Sequence, residues 1–306
     1  MGIFDYEGQN IVHGYDYSGV LLMKAYNING IEVHSEGSVP PSVDYNSYSI
    51  SNFLTINYSD SHLTSHQGFA IYGREIFQLF WTYEGENNLY VVDIDDCSIE
   101  KSYIVKAEHG DSASFSDEFQ NNADPYPLLY ITSDLNPCLI YANRITSNST
   151  ELIRTYYFPL DKTGYYAALA LDYSNRRMYL LGYTYQDYRS DRSGTNKTIV
   201  SVWDMDNTSE NQDGTLTPRF IESFELTFLI CMQGMDFHDG LIWVAYTNFS
   251  NNWICAINPV TKAIEHTISV SDTGEIEGCG FLSDTELIYY MFGGTYKKIT
   301  FATINN

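Results

Sequence analysis

Hydrophobic and polar residues alternate along most of the chain in short runs that end at polar or glycine-containing turns. The runs "LIWVAYT" (241–247), "NWICAIN" (252–258) and "AIEHTISV" (263–270) are examples. Alternation with a period of two residues is typical of half-buried β-strands. No stretch keeps the period of an amphipathic helix, so the sequence predicts an all-β protein.

Five of the predicted strands open with related pentapeptides, at 67–71, 111–115, 167–171, 233–237 and 277–281. Their starts are separated by 44, 56, 66 and 44 residues. Each of the first four pentapeptides is followed by three further strand patterns. Repeated units of about 45 residues with four short strands indicate the blades of a β-propeller.

The second residue of every pentapeptide is small, and the fifth is large and apolar. The small residues are Gly68, Ser112, Ala168, Gly234 and Gly278. The innermost strands of a propeller converge on one axis, where there is little room for side chains. We therefore expect these five residues to lie where the innermost strands meet.

The last unit has two strand patterns after its pentapeptide instead of three. The segment 52–59, "NFLTINYS", precedes the first unit and has no other predicted partner. Because an open sheet edge invites aggregation, we expect this segment to pair with the strand at 295–302 and close the ring. The prediction is a five-bladed β-propeller of four-stranded blades over residues 44–306. Two polar insertions in the third blade, 185–197 and 206–218, are predicted to be loops.

The first 37 residues carry a shorter repeat. Copies begin at Phe4, Tyr15 and Tyr26, and each combines an aromatic residue, Asp or Asn, and a glycine three positions further on. Asx and glycine at this spacing favour tight turns. We expect a small N-terminal β-repeat module over 1–37, followed by a proline-stiffened linker, "SVPPSV", at 38–43.

Charge narrows the classes of partner. The 306 residues include 16 Lys and Arg against 39 Asp and Glu, a formal net charge of −23. A phosphate backbone or an anionic membrane surface attracts basic proteins, so we expect neither nucleic acid nor membrane insertion. No apolar run is long enough for a membrane helix, and no signal peptide is visible. The localisation is left unknown, with the virion and the cell surface as the alternatives.

The five cysteines form no CxxC pair, which argues against a zinc knuckle. Cys231, Cys255 and Cys279 lie in apolar runs and are predicted to be small buried side chains. No cofactor, metal or disulfide is predicted. Two weaker metal alternatives are a site at His66 and His109, and a calcium loop at 204–214 that lacks the expected glycine and glutamate.

The best polar constellation comes from the first position of the aligned pentapeptides. Its polar members are Gln67, Asp111, Gln233 and Glu277, with His66 and His109 just upstream of the first two. One interpretation is a ligand-binding mouth on the propeller axis. The other is a set of polar groups that water satisfies.

Two catalytic alternatives use the same residues. Asp111 and Glu277 are the residue types of a glycosidase pair, and "HGDS" at 109–112 contains the residue types of a nucleophilic triad. Neighbouring residues on one strand cannot all converge, so the triad is the weaker interpretation. The 27 tyrosines suit sugar faces as well as the packing of outer strands.

Three segments carry a resemblance to a known family: "QGFAIYGREIFQLF" (67–80), "HGDSASFS" (109–116) and "YPLLYITS" (126–133). They resemble propeller domains in receptor-binding tail proteins of phages that infect Gram-positive bacteria, and teichoic-acid-biosynthesis-like propellers. Over residues 50–306 the resemblance implies a non-catalytic five-bladed domain that acts near host-wall glycopolymer.

The sequence thus favours a binding propeller for a cell-surface glycan or wall polymer, with a phage or prophage tail as one setting. Its expected partners are that polymer and other virion or surface proteins. The alternatives are a glycoside hydrolase that uses carboxylates at the axial mouth, and a protein-binding structural propeller.

Overall fold

The structure is a computed structural model that describes residues 42–56, 67–82, 87–107, 109–133, 139–165, 168–184, 196–227 and 229–304. It also gives the backbone of residues 63–66 and 166–167 and of four strands near the N-terminus. Within this part of the chain the protein is all-β, with one short helix, α1, at Leu160–Thr163.

The chain divides into two compact units. The first comprises Met1–Asp44 and Thr303–Asn306, and the second comprises Tyr45–Ala302. In the first unit, one antiparallel sheet has the order β1-β2-β3-β4. These strands are β1 (Ile3–Phe4), β2 (Asn10–Tyr15), β3 (Leu21–Tyr26) and β4 (Glu32–Val33). The segments between these strands, where the sequence predicts turns, lie outside the described residues.

In the described part of the second unit, the strands form five antiparallel meanders of four strands each. The first is β6 (Leu63–Tyr72), β7 (Glu75–Thr82), β8 (Asn87–Asp93) and β9 (Ile99–Val105). The second is β10 (Ala113–Phe115), β11 (Leu129–Thr132), β12 (Leu139–Ile145) and β13 (Thr150–Tyr157). The third is β14 (Tyr165–Asp172), β15 (Arg177–Tyr183), β16 (Thr198–Glu210) and β17 (Leu216–Leu226).

The fourth meander is β18 (Met232–His238), β19 (Leu241–Thr247), β20 (Asn252–Asn258) and β21 (Ala263–Val270). The fifth is β22 (Ile276–Ser283), β23 (Glu286–Met291) and β24 (Thr295–Ile304), completed by β5 (Ser42–Thr55). The predicted partnership of the segment before the first meander with the last strand is therefore confirmed. A single parallel bridge, Tyr156 to Leu216, joins the second and third meanders into one eight-stranded sheet.

The first strands of the five meanders pack against one another in a cycle. Strand β6 contacts β10, β10 contacts β14, β14 contacts β18, β18 contacts β22, and β22 contacts β6. A Cβ atom built on Gly234 would stand 3.1 Å from the Cα of Gly278 and 3.8 Å from that of Gly68. Gly68, Gly234 and Gly278 therefore lie where these strands meet, as predicted for the small second residues.

Apolar side chains fill the space between neighbouring meanders. Phe77 of the first meander and Ile131 of the second share one cluster, and both are fully buried. Leu180 of the third meander packs in a cluster with Leu128 and Tyr130 of the second. Full burial of such a side chain is worth about 1.5–3 kcal/mol, so sheet-to-sheet packing stabilises the arrangement.

Two predicted boundaries need correction. Strand β5 begins at Ser42, ten residues before the predicted start at 52, and so takes in the end of the predicted linker at 38–43. The rest of that linker and residues 57–59 lie outside the described residues. Residues 46–52 of β5 are exposed. The strand start at 52 was predicted from the apolar residues that follow it, and the exposed stretch before it has no such apolar run.

The insertion at 206–218 is mostly a hairpin and not a loop. Strand β16 continues to Glu210 and β17 begins at Leu216, with Thr208 opposite Pro218. Asn211 closes the turn through its side-chain amide, which donates to Thr215 and Thr217 Oγ1 at 2.9 Å each. Both arms of the hairpin are mostly polar and exposed, so they lack the alternation of apolar and polar residues from which strands are predicted. Most of the other insertion, 185–197, lies outside the described residues.

Candidate functional site

The innermost strands β6, β10, β14, β18 and β22 have two ends that differ in structure. We call the end that carries Gln67, Asp111, Gln233 and Glu277 the ring end. These four side chains belong to residues that are 5%, 5%, 7% and 4% exposed, respectively. The residues of the predicted axial mouth therefore form a buried polar layer, because the innermost strands converge at the next residue along each strand.

Three of the predicted site residues come together at the ring end. The Nε2 atoms of Gln67 and His109 are 3.2 Å apart, and His109 Nε2 is 3.9 Å from Asp111 Oδ1. His109 has a positive φ of 64°, and its ring centroid is 4.9 Å from that of Trp81. His66 lies in β6, and its side chain is outside the described residues.

Gln233 belongs to a second cluster, with two residues that the sequence analysis did not single out as site residues. Its Nε2 donates to Glu275 Oε1 at 3.0 Å, and Cys231 Sγ lies 3.6 Å from the same oxygen. Glu275 precedes the ring position by two residues, so an alignment of single positions could not have found it. Both clusters bind ring-end side chains to their neighbours.

Gln78 fixes the backbone of the ring end from the adjacent strand. Its side-chain amide donates to the carbonyl oxygens of Gln67, Gly68 and Leu79. Its Oε1 accepts from the hydroxyl of Tyr296 in the fifth meander. Gln78 and Tyr296 are fully buried, so this network joins the first and fifth meanders without contact with solvent.

The catalytic alternatives find little support in this geometry. Asp111 and Glu277 are both buried, whereas a glycosidase pair must flank an accessible sugar bond. In the "HGDS" segment, Ser112 Oγ accepts from the backbone N–H of Leu169 at 3.4 Å. That bond joins neighbouring innermost strands and gives the hydroxyl a structural partner.

A cavity of about 280 Å³ lies at the other end of the innermost strands, which we call the cavity end. Strands β6, β10, β18 and β22 line it, together with Tyr173 just after β14. All five meanders therefore contribute to one space. Its apolar walls include Phe69, Ile71, Phe115 and Phe281.

Asp236 is the carboxylate among the described residues that line the cavity. Its Oδ2 accepts from the N–H of Phe281 and its Oδ1 from the N–H of Phe237, both at 2.8 Å. Burial raises the pKa of Asp236, while these two hydrogen bonds act in the opposite direction. The carboxylate is thus oriented by the backbones of β18 and β22.

Other polar groups surround the same space. His238 stacks on Phe281 with ring centroids 3.9 Å apart, and its Nε2 lies 4.0 Å from Asp284 Oδ1. Burial raises the pKa of Tyr173, and a hydrogen bond with Ser114 opposes that shift. The cavity end therefore combines aromatic faces with an imidazole, hydroxyls and one carboxylate.

The sequence analysis missed this end, although the pentapeptides contain a signal for it. The fourth residues are Ala70, Ser114, Ala170, Asp236 and Gly280. Residues two apart on a strand point to the same side, so these follow the small second residues along the axis. Four are small, and Asp236 is the exception. An acid in a column of small residues is the sequence signal that distinguishes this position from the other four.

The candidate metal segments have other roles in the described structure. Asp204 accepts from Arg219 at 2.6 Å and from Asn207 at 2.8 Å, and the Arg219 hydrogen bond lowers the pKa of Asp204 to about 2. Within the described ranges, no three His, Cys, Asp or Glu side chains are grouped as a metal site would need. The predicted burial of Cys231, Cys255 and Cys279 is confirmed.

In the described part of the chain, no helix has both the length and the apolar character to cross a membrane.

Comparison with known proteins gives no family. No family model matches the chain, and no curated protein matches it. Among solved structures, it is similar to the PQQ-bound aldose sugar dehydrogenase from Streptomyces coelicolor, with 10% identity and a TM-score of 0.46, over 86% of this chain and all of that one.

It is also similar to the hydrazine synthase of Kuenenia stuttgartiensis, with 8% identity and a TM-score of 0.43, over 76% of this chain and 57% of that one. Likenesses this distant identify no function, so the functional argument depends on the residues of the chain itself.

Proposed function

We propose that the five meanders are the blades of a closed five-bladed β-propeller. Three observations support this arrangement: the four-stranded order of each meander, the cycle of contacts among the first strands, and the position of β5 beside β24. A strand from before the first blade would then join the ends of the ring. In the same proposal, residues 1–37 are a separate N-terminal module.

We infer that this propeller binds a sugar residue of a cell-surface glycan or wall polymer without cleaving it. The observation that carries the proposal is the cavity to which all five meanders contribute. Aromatic rings can cover the apolar faces of a sugar, and hydroxyl, imidazole and carboxylate groups can pair with its hydroxyls. A volume of about 280 Å³ lies just below the usual range for drug-sized ligands and suits one or two sugar rings.

The number and position of the carboxylates favour binding over hydrolysis. Retaining and inverting glycosidases both need a pair of carboxyl groups that flank the scissile bond. Among the described lining residues of the cavity, Asp236 stands without a second carboxylate. The pair proposed at the ring end, Asp111 and Glu277, is buried at the opposite end of the strands.

A single site of this kind binds weakly, because each hydrogen bond adds about 0.5–1.5 kcal/mol net. Several copies acting on one polymer would supply the avidity that attachment needs. Such an arrangement suits a virion or cell-surface protein, which is the setting that the resemblance to phage tail propellers implies. A protein-binding structural propeller is the alternative in which the cavity has no ligand.

Calorimetry with purified wall glycopolymer and with monosaccharides tests the proposal. The variant Gly280→Val fills the cavity beside Ile71 and Asp236, and we expect it to lose binding at least tenfold. The variant Gln67→Ala/Gln233→Ala removes two ring-end amides and, if folded, should bind as the wild type does.

Loss of binding in the Gln67/Gln233 variant alone would place the ligand at the ring end. No binding of any sugar by the wild type would contradict the proposed ligand. Release of reducing sugar from the polymer by the wild type would contradict the non-catalytic assignment.

A further inference from the structure

The charges around the cavity are unbalanced. Asp236 lines it, and none of the described lining residues is a lysine or an arginine. Burial has the largest effect on the pKa of Asp236 and raises it, and the imidazole of His238 acts in the opposite direction. Asp236 is half-buried, and a carboxylate that is partly removed from water without a fixed cation is destabilised, so a cationic group of a ligand would find a favourable place here.

The carboxylate also has capacity for a ligand. A carboxylate oxygen offers about two lone-pair positions. Among the described residues, Oδ1 accepts one hydrogen bond from the N–H of Phe237 and Oδ2 accepts one from the N–H of Phe281. Gly280 has no side chain, so none occupies the position beside Oδ2, where a Cβ would stand 3.7 Å from that oxygen.

Aromatic rings complete the surroundings of the carboxylate. Phe69 and Phe281 line the same cavity as Asp236, and Tyr72 and Phe115 line it further along, with ring centroids 5.3 Å apart. The faces of aromatic rings attract cations, with a strength of about 0.5–2 kcal/mol. A carboxylate beside several aromatic rings is a combination that can hold an ammonium group.

We propose that the cavity selects ligands that carry a protonated amine, with the amine on Asp236 and the remainder of an amino sugar against the aromatic walls. This inference rests on the proposed function, because it names the class of sugar that the same cavity prefers. The charge-assisted hydrogen bond from an ammonium group to a carboxylate is stronger than a neutral one. The net charge of −23 would also raise the local concentration of a cationic ligand.

Three monosaccharides isolate the role of the amine: glucose, glucosamine and N-acetylglucosamine. The amine of glucosamine is charged, and acetylation removes the charge. We expect wild-type protein to bind glucosamine at least tenfold more tightly than the other two sugars, measured by calorimetry or ligand-observed NMR. The variant Asp236→Asn should reduce that ratio to within about twofold.

The matched control is Asp161→Asn. Asp161 carries a surface carboxylate whose described ion-pair partner is Lys162, so its removal changes the net charge equally and leaves the cavity intact. We expect this control to keep the tenfold preference. A loss of the preference in the control as well would mean that long-range charge, and not Asp236, selects the amine, and would overturn the inference.

If Asp236→Asn does not fold, a second variant still tests the inference. Gly280→Ala keeps the carboxylate but narrows the space beside Oδ2, and we expect it to weaken glucosamine binding at least fivefold. Unchanged glucosamine binding by folded Gly280→Ala would overturn the inference. Equal binding of glucose and glucosamine by the wild type would overturn it too, while leaving the proposed sugar-binding function in place. Absence of all sugar binding would contradict the proposed function itself.

Discussion

The ring end and the cavity end of the innermost strands are built from the same pentapeptides, yet the described residues pack closely at one end and surround a cavity at the other. At the ring end, glycine backbones of different strands touch, and buried polar side chains bond to one another. At the cavity end, the strands leave about 280 Å³ that aromatic and polar side chains surround. The polar residues that the sequence analysis selected lie at the ring end, whereas the cavity lies at the other end of the strands.

The comparison teaches that a ring of polar residues in a repeat protein can be structural. Gln67, His109 and Asp111 satisfy one another in part, and Gln78 holds the backbone behind them. A polar group that leaves solvent must be paired inside the protein. The ring-end residues meet this need, while Asp236 at the cavity end combines pairing with access to a cavity.

The largest expected difference between the two ends is the effect of one added methyl group. In Gly68→Ala, the new Cβ would meet the carbonyl oxygen of Asp111 at 2.3 Å, which only a backbone shift can relieve. We expect a loss of about 3 kcal/mol in the free energy of unfolding, at the upper end of overpacking effects. Urea denaturation measures it.

Gly280→Ala is the matched control for that change, because it adds the same group to an equivalent strand at the cavity end. Its Cβ would meet the end of the Ile71 side chain at 3.3 Å, and a side chain can yield. We expect a loss below about 1 kcal/mol. Equal losses in the free energy of unfolding for the two alanine variants would contradict the expected difference in packing between the ring end and the cavity end.

A smaller effect should follow from the buried network behind the ring end. Gln78→Met removes the donor to the carbonyl oxygens of Gln67 and Gly68 and leaves the Tyr296 hydroxyl without its Gln78 acceptor. We expect a loss of about 2–3 kcal/mol, the cost of unsatisfied buried groups.

The variant Tyr296→Phe tests whether the hydrogen bond between Tyr296 and Gln78 contributes to stability. In a double-mutant cycle with Gln78→Met, the two losses should add up to more than the loss of the double variant, with a coupling of about 1 kcal/mol. Strict additivity would mean that the two side chains do not act on each other and that the first and fifth meanders are joined by apolar packing alone.

The smallest expected effect concerns the pH dependence of stability at the cavity end. Burial raises the pKa of Asp236 above its ordinary value of 3.8, and the titratable groups that act on it or contact it include His238, Tyr173 and Cys279. The folded state therefore keeps a proton that the unfolded chain has already released just above pH 3.8. The contribution of Asp236 to the free energy of unfolding falls as pH rises between the unfolded and the folded pKa.

Asp236→Asn lacks this titration. Urea unfolding between about pH 3.5 and pH 7 should show the wild type losing stability relative to the variant as pH rises. A relative gain by the wild type over the same interval would mean that the carboxylate is stabilised as an ion in the ligand-free protein.

Much of the fold could be predicted because strand alternation and packing constraints are local. Strands β19, β20 and β21 have the predicted bounds, since each is a half-buried run between turns. The small second residues were informative because backbones touch there. The extension of the β16–β17 hairpin at 206–218 and the first ten residues of β5 were missed because both are mostly exposed, and an exposed strand needs no burial pattern.

The candidate site was harder to predict for a physical reason. A sequence gives residue types, but the space between strands depends on how several distant strands pack. Gln67 and Asp111 were chosen because they are polar and aligned, and the fold buries them. Asp236 was passed over because Met235 and Phe237 on either side make the segment resemble an ordinary core strand.

The polar character of β5 has a consequence during protein synthesis. Its partner β24 begins about 240 residues later in the chain, so at ~5–20 residues per second the nascent strand waits roughly 12–50 s for it. A hydrophobic strand left unpaired for that time would offer an adhesive edge to other chains on the same polysome. We expect the serines and asparagines of "SVDYNSYSISN" (42–52) to keep this segment hydrated, so that it does not pair with other chains before β24 is synthesised.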